Sequence, residues 1–173
     1  MVYDLRMKLK TPFLGNQQTR SKIRKFRRTD SGDIALDSAQ WKFVISESID
    51  SLAMDVNPEA VRLPLEFRAP KLNLYTRRWK DENGIHSEDF ESISKGAVLT
   101  VKVLSLKQSE NNIQPGPDQE ELKLIFEFAG AWIGLSPWGS KFNYGRFDVL
   151  ALEPHEPDLR RRPFNGIPDP AGD

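Results

Sequence analysis

Residues 3–9 alternate Tyr3, Leu5, Met7 and Leu9 with Asp4, Arg6 and Lys8, the period-two pattern of a strand with one buried face. The next clear pattern is helical. Behind a cap at Asp37 or Ser38, Trp41, Val44, Ile45, Ile49 and Leu52 predict an amphipathic helix over 38–53, broken at Asn57-Pro58. Alternation returns at Val61, Leu63, Leu65 and Phe67, where Pro64 on the opposite face marks an edge strand or a bulge. It continues through KLNLYTRRW (71–79), a strand expected to pair with its predecessor by turning at Ala69-Pro70. AVLTVKVLSL (97–106) is the most strand-like run, rich in β-branched residues. Pro117-Asp118 with Glu121 opens a second helix as a capping box. Leu122, Ile125, Phe126, Ala129, Trp132 and Ile133 form its apolar face, and Gly134 ends it. RFDVLAL (146–152) is the last strand; 10–34, 80–96 and 107–117 read as loops, and 153–173, rich in proline and arginine, as a flexible tail.

The resulting order, β-α-β-(β)-β-α-β, predicts an α+β chain. The expected architecture is one ferredoxin-like (RRM-like) domain over 1–152, an antiparallel sheet with two helices on one face. Its other sheet face is left open to ligands. Another α+β meander is the alternative.

Charge changes this picture more than composition does. The 173 residues hold 25 basic and 25 acidic side chains, a neutral total that argues against a polyanion binder. The charges are segregated, however. Six of the nine residues from Arg20 to Arg28 are cationic and none is acidic, and a second basic group spans Arg68 to Lys80. The acids gather in 81–91, 118–127 and 148–158. A neutral chain can thus present a basic face. With no cysteine, disulfides, thiolate metal sites and cysteine nucleophiles are excluded. No apolar run suits a secretory leader or a membrane span, so the expectation is a cytoplasmic protein without a membrane partner.

The candidate chemistry lies in three segments. RSKIRKFRR (20–28) offers Arg20, Lys22, Arg24, Lys25, Arg27 and Arg28 as an arm that tracks phosphates; a solvated loop or a protein contact is the alternative. The strand 71–79 puts Tyr75, Arg77 and Trp79 on one face, with rings and a guanidinium at the spacing that stacks bases. Packing of Tyr75 and Trp79 beneath the long loop fits the pattern equally well. GLSPWGSKFNYGRF (134–147) is the densest segment, with Gly134, Gly139 and Gly145 beside Lys141 and Arg146 and the rings of Trp138, Phe142, Tyr144 and Phe147. Glycines there can turn backbone N–H groups toward an anion, while the cations and rings supply phosphate contacts and stacking. A helix cap, core plugs and a bulge explain the same residues without a ligand.

A helix running into a glycine-rich loop, followed by Gly145, Arg146 and Phe147 at the start of the last strand, resembles the RAMP superfamily. These are the ferredoxin-like RNA-binding proteins of CRISPR systems. Together with the TPFL turn at Thr11 to Leu14, the pattern is also similar to a family of small tailed-bacteriophage proteins. The resemblance implies RNA contact by the loop. The processing nucleases of that superfamily use a histidine near the first helix, and the two histidines here, His86 and His155, lie elsewhere. A binder of single-stranded nucleic acid without catalysis is therefore expected. The alternatives are self-association, a phage or host protein partner with an anti-defence role, and a metal-independent ribonuclease using Tyr144, Lys141 or His86. The spacing matches neither of the glycine-rich nucleotide-binding patterns. Asp81, Glu82, His86, Glu88, Asp89 and Glu91 have no metal-ligand spacing and read as a hydrated acidic loop, so no cofactor or metal is expected.

Overall fold

A computed structural model describes residues 1–20, 22–35, 38–63, 66–67, 71–106, 116–136 and 139–155. Four strands form the larger sheet: β1 (Val2–Leu9), β6 (Val61–Arg62), β10 (Val98–Ser105) and β11 (Phe147–Pro154), in the order β11-β1-β10-β6 with every neighbouring pair antiparallel. Two helices join its members. α1 (Ser38–Ser51) precedes β6, and α2 (Gln119–Phe128) connects β10 to β11. As the alternation predicts, Tyr3, Leu5, Met7 and Leu9 of β1 are buried, with Leu99, Val101 and Val103 of β10. They share one apolar cluster with Trp41, Val44, Ile45 and Ile49 of α1 and Leu122, Ile125 and Phe126 of α2. Each fully buried side chain of this kind contributes about 1.5–3 kcal/mol, so this cluster holds the chain together.

The remaining strands are not part of that sheet. β8 (Leu72–Asp81) and β9 (Gly84–Ile93) form a long antiparallel hairpin. The other edge of β9 takes β2 (Phe13–Leu14) antiparallel and β3 (Ile23–Arg24) parallel. A third sheet joins β4 (Arg27–Arg28), β5 (Ile34–Ala35) and β7 (Glu66–Phe67). Three sheets therefore replace the expected single one.

Several local expectations change with it. The acidic segment 80–96 is mostly strand β9, not a loop; Asp81 and Gly84 close its turn, and Gly84 takes φ +121°. The segment 71–79 pairs with β9, whereas the run at 61–67 divides between two sheets; Pro64, Leu65, Ala69 and Pro70 lie outside the described residues. The supposed loop 10–34 contains three two-residue strands and the start of a fourth, Ile34–Ala35. The capping box at Asp118 and Glu121 forms with both hydrogen bonds. Beyond α2 the chain continues as a π-helical turn, Ala129–Ile133, which ends at Gly134 with φ +83°. The wider turn carries Trp132 off the apolar face, and its ring is 65 % exposed rather than buried. β11 runs two residues past the expected boundary, and 156–173 of the tail lie outside the described residues.

Candidate functional site

The glycine segment has an inside and an outside. Inside, Arg146 is 9 % exposed. Its guanidinium donates from Nε to the Gly139 carbonyl at 3.2 Å, from Nη1 to the Ala131 carbonyl, and from Nη2 to Asn143 Oδ1 at 3.3 Å. The Ala131 carbonyl lies at the end of a helix, where carbonyls lack intrahelical donors and carry partial negative charge, so a cation there satisfies both deficits. The Gly139 carbonyl takes the guanidinium beside the Asn143 N–H at 2.9 Å. Burial lowers the Arg146 pKa, and among the described residues no carboxylate pairs with it. Arg146 is a clamp on the end of the helix, not a group held out to solvent.

The glycines close around this clamp. Gly134 donates to the Ala129 carbonyl at 2.7 Å, Gly139 to Ser136 at 2.7 Å and Gly145 to Pro12 at 2.7 Å. The expectation that these N–H groups face an anion is not met, because each is spent within the chain. A Cβ on Gly139 would stand 2.1 Å from the Ile133 carbonyl oxygen, and one on Gly134 would stand 2.6 Å from that of Tyr144. Glycine is required here because backbone meets backbone. Gly134 and Gly145 also adopt φ of +83° and +71°. The TPFL turn completes the knot: Thr11 Oγ1 accepts from the Arg146 N–H at 2.8 Å, and Lys10 N–H donates to the Arg146 carbonyl at 2.7 Å. The two motifs that carried the resemblance, 133 or more positions apart at their described contacts, are thus one clasp.

Outside the knot, one turn of helix, α3 (Gly139–Phe142), presents Lys141 and Phe142, and Tyr144 follows. These side chains meet the hairpin. Tyr75 and Tyr144 pack edge to face with centroids 5.8 Å apart and hydroxyls 3.4 Å apart. Burial, then the bond to Tyr75, pushes the Tyr144 hydroxyl up to about 12. The Arg77 guanidinium lies 4.3 Å from the Phe142 ring centroid and 5.0 Å from that of Trp79. Trp79 stacks on His86 at 5.4 Å, and Lys141 Nζ sits 5.4 Å from the Phe142 centroid. Rings and cations therefore alternate along one half-exposed surface. Tyr75 does pack against a loop, the glycine segment at Tyr144, while Trp79 packs on His86 and Arg77 within the hairpin.

Part of the basic arm reaches the same sheet. Cross-strand partners share a face, and the registers set Arg24 opposite Phe90, Phe90 opposite Tyr75, and Glu88 opposite Arg77. Arg24 pairs with Glu88 on that face. Arg28 pairs with Glu91 at 3.2 Å, and the Phe26 N–H donates to the same carboxylate at 3.1 Å. The acids of 81–91 are the arm's anchor, which sequence spacing alone did not reveal. Arg20, Lys22 and Arg27 are exposed and Lys25 half-buried, with no ion-pair partner among the described residues.

The structure thus brings together Arg24, Tyr75, Arg77, Trp79, Lys141 and Tyr144. It turns Gly134, Gly139, Gly145 and Arg146 into their support, and Trp138 lies outside the described residues. Sequence reading named the Phe142 ring as a stacking surface but missed His86 and Glu88 as members of this surface. The outward side chains of β1 and β10 on the larger sheet, Arg6, Lys8, Val98, Thr100 and Lys102, offer no ring. A cleft of ≈ 670 Å³ beside α1, lined by Trp41, Phe43, Pro58 and Leu63, shares no residue with the candidate site. Among the described residues no group of acids and histidines could hold a metal, and no helix is long and apolar enough to cross a membrane. No protein-family model matches the chain, and comparison with curated proteins finds no match.

Proposed function

We propose that this chain binds single-stranded nucleic acid, without chemistry, on the surface shared by the β8–β9 hairpin and the outer side of the glycine segment. One observation carries the reading: the Arg77 guanidinium stands between the rings of Trp79 and Phe142, beside the Tyr75–Tyr144 pair and Lys141. Exposed rings stack bases at about 1–3 kcal/mol each, and interleaved cations attract the phosphates between them. Alternate residues on a strand are about 6.8 Å apart, a spacing that an extended single strand can follow. Arg24 lies on the same face, and Arg20, Lys22, Lys25 and Arg27 extend the positive charge along the arm.

The architecture supports the same reading more coarsely. The strand order last-first-third-second, with a helix leading into the second strand and another into the last, suits a ferredoxin-like core. The hairpin is then an insertion that carries the site. A catalytic role is less well supported, because a Tyr144 hydroxyl at about 12 is far from the value a proton-transfer group needs at neutral pH.

Fluorescence anisotropy with labelled single-stranded RNA, single-stranded DNA and duplex DNA, each at low and moderate salt, tests the proposal. The expected result is salt-sensitive binding that prefers a single strand. Absence of binding to all three at micromolar protein would overturn it.

A further inference from the structure

The β8 strand pairs with β9 along one edge, and among the described residues no strand pairs with its other edge. Ten residues, Leu72–Asp81, therefore present a row of backbone donors and acceptors. Lys71, Arg77, Arg78 and Lys80 make this edge basic and hostile to indiscriminate strand addition, the usual protection of an exposed edge. One symmetric register removes that conflict. In an antiparallel pair of two copies related by an axis normal to the sheet, directly opposed residues must share a face. For the full strand the axis then falls on Thr76 or on Arg77. With Arg77 on the axis, two guanidinium groups oppose each other, which is unfavourable. With Thr76 on the axis, Lys71 of one protomer faces Asp81 of its partner and Tyr75 faces Arg77. Leu72, Asn73 and Leu74 face Lys80, Trp79 and Arg78, so no like charges stand opposite.

The side chains are placed for this register. Asp81 Oδ1 already accepts from His86 at 2.9 Å and from the Asn83 N–H at 2.8 Å, and its side chain is 43 % exposed at the strand's end, within reach of a facing ammonium. Leu74 is 62 % exposed on the opposite face of β8, where the stem of the partner's Arg78 would cover it. We propose that two copies of this chain associate through their β8 edges, antiparallel and with Thr76 on the two-fold axis. The interface is isologous. Because the axis is normal to the sheet, the ring-and-cation surfaces of both copies lie on the same side and become continuous. This association does not depend on nucleic-acid binding, and its test uses none.

Sedimentation velocity from low-micromolar to sub-millimolar protein reads the association directly. Wild type is expected to show a monomer–dimer equilibrium. Thr76→Lys sets two ammonium groups across the axis and should weaken the dimer by roughly tenfold or more. It leaves the monomer folded, since Asp89 Oδ1, now 2.6 Å from Thr76 Oγ1, is at hand to pair with the new cation. The chain has no cysteine, so Thr76→Cys gives a single reporter. Opposed Cα atoms about 4.5–5.5 Å apart fall within disulfide range, and oxidation should cross-link this variant faster than a Thr100→Cys control. A wild type that is monomeric at every concentration overturns the proposal. A dimer that Thr76→Lys leaves unchanged overturns it too, since the contact then lies elsewhere.

Discussion

Arg146 and Arg77 meet at the same glycine segment from opposite sides, and they illustrate two uses of one side chain. Arg146 is enclosed, and three of its nitrogens bond to oxygens of Ala131, Gly139 and Asn143. Arg77 is half-buried between two rings. A guanidinium spent on oxygens of its own chain has little left for a phosphate. One held by ring faces keeps its in-plane donors available. The inside of the segment is therefore scaffold and the outside is the proposed ligand surface.

Arg146→Ala cuts deepest into this comparison. It orphans the Ala131 carbonyl and takes one of two donors from the Gly139 carbonyl, which still accepts from the Asn143 N–H at 2.9 Å. It also leaves a cavity in the knot, for a total loss of about 3 kcal/mol or more. Chemical denaturation should show this with or without nucleic acid present. Arg146→Lys rescues little, since an ammonium cannot reach the same oxygens in a planar fork. Gly139→Ala should destabilise by about 1–3 kcal/mol, because its Cβ meets the Ile133 carbonyl oxygen at 2.1 Å. If Arg146→Ala kept full stability while affinity fell, the roles assigned to the two arginines would be reversed.

Next in size is the mirror experiment. Arg77→Ala should leave the unfolding free energy within about 1 kcal/mol of wild type while affinity for a single strand falls roughly tenfold. Trp79→Ala should lose a similar factor, because a stacking face is removed. Anisotropy and denaturation on the same preparations separate the two effects. A large stability loss in Arg77→Ala would make the ring-and-cation surface another piece of packing.

The sequence carried some of this distinction and not the rest. Alternation in β1 and β10 and the three-and-four spacing in both helices are local patterns, and apart from Trp132 they placed the core correctly. The hairpin was half visible. β8 alternates openly, but β9 bears acids on both faces because Glu88 and Glu91 hold Arg24 and Arg28. That paired surface resembles a solvated loop, although Asn83-Gly84 was a usable turn signal. The strands β2 to β5 are two residues each, too short for any period. Trp132 was misplaced because a π-helical turn breaks the spacing on which the face was drawn. The inward and outward roles of Arg146 and Arg77 depend on Thr11 and Pro12 closing over the segment. Neighbouring residues in sequence do not encode that contact.

Glu88 sharpens the outer half of the comparison with a smaller effect of opposite sign. Its carboxylate pairs with Arg24 and stands opposite Arg77 in the register, in the middle of the surface where phosphates would lie. Glu88→Gln keeps the shape and removes the negative charge. Affinity for a single strand should rise a few-fold at low salt, with the gain shrinking as salt screens it. The same substitution should cost a few tenths of a kcal/mol of stability, as for a partly exposed ion pair. Unchanged affinity at low salt would move the ligand path away from Glu88.

The smallest expected effect lies at the hairpin tip, the part of the surface farthest along β8 from the Tyr75–Tyr144 contact. A hydrogen bond from His86, then one from the Asn83 N–H, holds the Asp81 carboxyl below its ordinary value of 3.8. The folded tip therefore takes up a proton less readily than the unfolded chain does. Its contribution is full above the ordinary value and is lost as the pH falls through the lowered one. Asp81→Asn should thus differ from wild type in tip order at neutral pH and converge with it in strong acid. Carboxyl-carbon NMR of Asp81 reads the titration directly. Titration at or above 3.8 would mean that the turn is not held by this carboxylate. Trp79 would then owe its position to His86 stacking and the Arg77 contact alone, and the rigid surface would end at Arg77 rather than at the tip.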